Sequence, residues 1–248
     1  MDGTCGGFPL GCDDGDPCTI DACDSQTGCS HTHIPGCGPG SITLCTLTQG
    51  AYGGPGANGP QGWITNNLSV LPATIGLLGT ASVTINKQAG LIAFMPTGGT
   101  PNQLNPANGV NGDVSISVKG DVPDPTNGGG SKGDGGGTLS GQTLAMTLSV
   151  ALSNSGANPP GLAHQALAAL CTCDGNGPPS SPFSFSACIL SNATTVTDLL
   201  SLANRALGGE PLNTIDSSGC LSYSDIETAL DTLNQGLDEC KTVCNCGP

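Results

Sequence analysis

Five carboxylates crowd one short stretch near the start of the chain. Asp13, Asp14, Asp16, Asp21 and Asp24 fall within 12 residues, with no Lys or Arg among them. Oxygen ligands at that density suit Ca2+, which takes about six to eight of them. The competing reading is that Asp and Gly make solvated turns between disulfides. The stretch lacks the ligand order and bidentate Glu of a calcium loop. His31 and His33 alternate and share a face if that segment is extended. Two His without a third ligand describe an exposed polar strand as readily as a metal site.

Other motifs fail on context. Gly128-Gly129-Gly130-Ser131-Lys132-Gly133 has the spacing of a dinucleotide loop and, in part, of a nucleophile elbow. Both motifs need a strand before and a helix after. Here Pro123 and Pro125 precede and more Gly and Asp follow, so the stretch reads as a loop. Asp216, Ser218, Gly219 and Asp225 suggest a calcium loop opening a helix, but Thr214 stands where the first Asp belongs. A capped helix start explains the same residues. His164 has no patterned nucleophile or acid beside it. Nothing points to paired carboxylates for glycoside hydrolysis. Tyr52 and Trp63 lie in one Gly-rich region and could form a platform for a sugar, or Trp63 could anchor the core.

Fourteen cysteines in a weakly apolar chain indicate disulfides and an oxidising compartment. Cys5, Cys12, Cys18, Cys23, Cys29 and Cys37 fall in the first 37 residues, a segment too small to hold itself by burial. The sequence does not choose among their pairings. Cys45, Cys171, Cys173, Cys188, Cys220, Cys240, Cys244 and Cys246 complete the set. If the first six pair among themselves, Cys45 must find a C-terminal partner and close most of the chain into a loop.

The stretch from Cys12 to His33 resembles the cysteine-rich repeat of slime-mould extracellular-matrix proteins, also found in secreted bacterial proteins. The residues that carry the resemblance are Cys12, Asp13, Asp14, Gly15, Pro17, Cys18, Thr19, Asp21, Cys23, Gly28, Cys29, His31 and Thr32. It implies an extracellular structural or adhesive setting, and no enzyme.

Composition excludes further classes. The formal net charge is -14, from 19 acidic and five basic residues. So few cations make no useful phosphate-binding patch, and an anionic membrane would repel the chain. No apolar run approaches the length of about 20 residues that spans a bilayer. Met1 is followed directly by Asp2, Gly3, Thr4 and Cys5, without a basic or apolar leader. The expectation is a mature secreted chain, or one with an added Met.

Gly38-Pro39-Gly40 marks a linker, so residues 1–40 form a disulfide module and residues 41–248 a body. Alternation predicts strands at Ser82–Asn86, Val114–Val118 and Thr143–Leu152, with a fourth at Ser41–Leu47. Helical spacing predicts helices through Leu162–Leu170, Leu199–Leu207 and Ile226–Leu237. The second opens on Thr195 with Asp198, the third on Ser222 with Asp225, both as capping boxes. Gly208 closes the second. Leu91–Pro96 fits either type. Cys240 and Cys244 stand one helical turn apart. The expected fold class is α+β: the stapled module, then an antiparallel sheet or sandwich with about three helices, mostly C-terminal.

The body also resembles a domain of unknown function in secreted bacterial proteins. Its pieces here are Thr48-Gln49-Gly50 with Tyr52, Gly53, Gly62 and Trp63; Ala93 to Pro101; Gly141-Gln142; and Leu199 to Gly209. This resemblance implies secretion.

The expected function is that of an extracellular or cell-surface structural protein and not an enzyme: a self-associating filament or matrix subunit, with Ca2+ as the candidate cofactor. The alternative is a monomeric adhesion or carbohydrate-binding module, and a secreted hydrolase stands third.

Overall fold

The computed structural model describes residue 12 and residues 19–24, 28–33, 42–53, 67–104, 110, 112–123, 136–173 and 179–245. Mixed helices and sheets place the chain in the α+β class. Near the start, β1 (Thr19–Asp24) and β2 (Gly28–His33) form an antiparallel hairpin, with Cys12 bonded to Cys29.

Two sheets follow. The first holds β3 (Ile42–Leu44), β9 (Lys241–Asn245), β7 (Leu170–Cys173) and β8 (Pro179–Pro182), antiparallel in the order β3-β9-β7-β8. The end of the chain thus inserts beside its beginning. The second sheet has the order β4-β5-β6, from β4 (Ala73–Leu77), β5 (Ala81–Ile85) and β6 (Asp113–Ile116). Its β4–β5 pair is antiparallel and its β5–β6 pair parallel, so it is mixed rather than wholly antiparallel.

Seven α-helices occur among the described residues, against about three expected. They are α1 (Gln49–Gly53), α2 (Gln88–Phe94), α3 (Thr138–Asn154), α4 (Ala187–Asn192), α5 (Val196–Leu207), α6 (Leu212–Ile215) and α7 (Tyr223–Gly236). The long α5 and α7 follow the sequence pattern. Thr195 Oγ1 accepts from Asp198 N at 3.2 Å while Asp198 Oδ2 accepts from Thr195 N at 2.9 Å. Ser222 and Asp225 repeat the arrangement. Their predicted stripes, Leu199 to Leu207 and Ile226 to Leu233, are the buried faces.

Three sequence expectations are corrected. The strand expected at Thr143–Leu152 is the middle of α3. That helix is buried on nearly all sides, so its polar residues do not mark a solvent face. Their hydroxyls return to the helix instead: Thr143 to Leu139 O at 2.7 Å, Thr147 to Thr143 O at 2.8 Å, and Ser149 to Ala145 O at 2.9 Å. Such internal bonds let Thr and Ser alternate through a buried helix and mimic a strand.

The helix expected at Leu162–Leu170 is two short 3-10 turns, Leu162–His164 and Leu167–Ala169, leading into β7. Leu162, Ala163, Leu167 and Leu170 are buried because the segment threads beside the start of α5. There Leu167 N donates to Thr194 O at 2.9 Å and Val196 N to Gln165 O at 3.1 Å. Those partners outbid an internal helical ladder. Cys240 and Cys244, read as one helical turn apart, sit at and within the last strand, where Cys244 lies opposite Cys171.

One apolar cluster joins the body. It runs from Leu44 and Leu47 through Ile75, Val83, Ile85 and the α3 face to Leu233, Leu237 and Val243. Cys45 is bonded to Cys240 across 195 residues of sequence. A closure of that length contributes about 5 kcal/mol by loop entropy. A third bridge, Cys188–Cys220, ties α4 to the loop before α7.

Candidate functional site

The residues expected to do chemistry are scattered or already committed. Asp13, Asp14, Asp16 and Trp63 lie outside the described residues. Asp21 and Asp24 lie on β1, opposite His31 and Gly28 of β2. His31 and His33 lie on the extended β2. Tyr52 is corrected as a ligand platform: it is fully buried, and its hydroxyl lies 3.0 Å from Ser149 Oγ. Burial pushes its phenol well above the ordinary range. A ring so enclosed has no face to offer a sugar. His164 is exposed on a 3-10 turn.

The Asp216 turn is a capped loop. The carboxylate accepts from Ser218 Oγ at 2.7 Å, and from the backbone N–H groups of Ser218 at 3.0 Å, Cys220 at 2.9 Å and Leu221 at 3.0 Å. The Ser218 hydroxyl, with help from those N–H groups, holds its carboxyl below the usual range against the opposing effect of burial. Cys188, Asp216 and Cys220 bring potential ligand atoms within 4.8 Å of one another, the one such grouping among the described residues. The two sulfurs are bonded to each other, however, so neither is the thiolate a metal needs.

The most organised polar constellation is one that sequence reasoning did not single out as a site. It is a buried seam where α1, the segment after α2, α3 and α7 meet. Gln49 Oε1 accepts from Thr97 N at 3.0 Å and from Thr97 Oγ1 at 3.1 Å. Thr97 Oγ1 in turn accepts from Gly141 N at 3.0 Å. A β-carbon on Gly141 would stand 2.0 Å from Gln49 Oε1, and one on Gly53 would stand 2.1 Å from Met95 O. At Gly53 the clash is with backbone, so glycine is required there; at Gly141 it is with the hydrogen-bonded ends of two side chains, which would have to move. Three segments far apart in sequence, at Thr48–Gly50, Ala93–Pro101 and Gly141–Gln142, thereby converge.

The seam continues along α7. Gln142 Nε2 donates to Asp231 Oδ1 at 2.5 Å, and Asn234 Nδ2 donates to Gln142 Oε1 at 2.8 Å and Gln142 O at 3.0 Å. Thr46 Oγ1 donates to Asn234 O at 3.0 Å and Leu233 O at 3.1 Å. Burial, reinforced by the nearby Asp231 charge, raises the Glu227 carboxyl, opposed by a hydrogen bond from Thr138. Burial also raises the Asp238 carboxyl, with Glu239 adding to it and the Thr48 N–H opposing it. The seam's polar groups serve chiefly one another. Chemically that is a clamp, which fixes the register of α1 and α3 on α7. The available sequence signal was faint: Asn234 interrupts the apolar stripe of α7 directly after Leu233.

Half-exposed aromatic surface is found elsewhere. Phe183 and Phe185 stack with ring centroids 6.4 Å apart, and Phe183 fills the space left by the missing side chain of Gly236.

No curated protein and no solved structure matches the chain. The family model described as the Dictyostelium (slime mold) repeat matches residues 11–34, the cysteine-rich hairpin region.

Proposed function

We propose that this is an extracellular structural protein, a self-associating filament or matrix subunit, in which a covalently closed body carries a cysteine-rich contact module. The observation that carries the reading is the Cys45–Cys240 bridge, which joins the two ends of the body across its own sheet. Such closure suits a part that must stay folded without upkeep outside the cell. The slime-mould repeat match at the N-terminal module supports the same setting.

Two edges of the body's sheets are unsuited to strand addition between copies. The β4 edge is engaged from α5, where Asn204 Oδ1 accepts from Gly76 N at 2.9 Å. The β8 edge begins and ends with proline. The Asp-rich module is therefore the favoured contact. With a net charge of -14, contact between copies requires screening or a bridging cation such as Ca2+. Negative-stain electron microscopy with calcium and then with EDTA tests this reading. Filaments that dissolve in EDTA support it; dispersed monomers under both conditions sink it and favour the adhesion module.

A further inference from the structure

Two buried oxygens at the end of α7 accept no hydrogen bond from the described residues: Asn234 Oδ1 and Asp238 Oδ1. Asn234 is fully buried. Turning its amide does not remove the orphan, because Nδ2 already serves two acceptors on Gln142. A flipped amide would set oxygen against oxygen there. Asp238 follows four residues later, just past the end of α7. Thr46 spans both positions. Its N–H donates to Leu237 O at 3.0 Å, its hydroxyl to Asn234 O, and its backbone bridges to Asp238. The Thr48 and Glu239 N–H groups donate to the Asp238 carboxyl, and Oδ1 remains unserved.

We propose that one water molecule is bound between Asn234 and Asp238, donating a hydrogen to Oδ1 of each. The chemistry of the pair selects this ligand. Both groups are acceptors, and water supplies two O–H donors. A buried water typically makes about two to four hydrogen bonds. Ca2+ would need about six to eight oxygens, and only these two are uncommitted among the buried side-chain oxygens described. The bound water completes a clasp between the start and the end of the body, two residues from Cys240. It does not depend on the structural function proposed above.

The test is a crystal structure of the full chain at about 1.5 Å, with a second crystal soaked in rubidium chloride. The expected result is one density peak within about 3 Å of both oxygens, as hydrogen bonding requires, without anomalous signal after the soak. A rubidium peak there would make it a cation site and overturn the proposal. So would no peak, or a peak touching only one of the two oxygens. In solution, slow-exchanging water should give a cross-relaxation peak to the Thr46 amide. That peak should vanish in Asp238→Ala, whose folding is checked by its amide spectrum; persistence in a folded variant also overturns the proposal.

Discussion

Gly141 lies directly beneath the side chain of Gln49, so close that a β-carbon on Gly141 would stand 2.0 Å from Gln49 Oε1. The same missing carbon leaves room for Thr97 Oγ1, which would be 2.3 Å away. Gly141→Ala gains helix propensity of about 1 kcal/mol, yet must displace two hydrogen-bonded groups. Overpacking of this kind costs about 1–3 kcal/mol. Net destabilisation is expected in urea unfolding. Truncating Gln49 in the same chain should recover part of the loss. Strict additivity in that double-mutant cycle would remove the clamp from the account.

Replacing Cys45 and Cys240 together by Ser should lower stability by about 2–5 kcal/mol. Peptide mapping of the unreduced protein should recover the two residues in one linked fragment. A link from Cys45 to any other cysteine would contradict the closed sheet.

The capping box that opens α5 sets an acid limit on stability. Burial alone would raise the Asp198 carboxyl, but four hydrogen bonds from Thr194 and Thr195 outweigh it and hold the group below its ordinary range. A depressed carboxyl stabilises the fold above its unfolded pKa, about 3.9 for Asp. That stability is lost as pH falls through the lower folded value. Thr195→Ala should cost about 1 kcal/mol at neutral pH and less in acid, measured by thermal melts across pH.

Glu227 has the opposite sign. Its carboxyl is raised by burial and by Asp231, so the folded chain holds its proton where the unfolded chain, with a pKa of about 4.3 for Glu, releases it. Stability therefore falls as pH rises through that interval. Glu227→Gln should raise the melting temperature at pH 7 and leave it unchanged near pH 3. An equal gain at both would assign the effect to packing.

Tyr52→Phe tests the burial of the aromatic ring once expected to face a ligand. It should cost about 1 kcal/mol through the lost bond to Ser149. Any sugar binding by the intact protein should be unaffected. Loss of binding with unchanged stability would restore the platform.

Local chemistry was legible in the chain. Thr195 with Asp198, and Ser222 with Asp225, announce two helix starts because a capping box is complete within four consecutive residues. The apolar stripes of α5 and α7 are readable because each helix has one buried face. Counting cysteines required a distant partner for Cys45 once the first six were paired among themselves. What the tertiary structure decided lay where burial is complete or partners are remote. The helix α3 is enclosed, so amphipathic periodicity was absent and its hydroxyls turned inward. Leu162 to Leu170 has helical spacing, but α5 captured its backbone hydrogen bonds. The seam of Gln49, Thr97, Gln142 and Asn234 joins four segments, and no local pattern records which polar group will meet which. Hydrogen bonds between residues some 50 to 190 positions apart exist only after the core has closed, so the sequence named the pieces and the packing chose their partners.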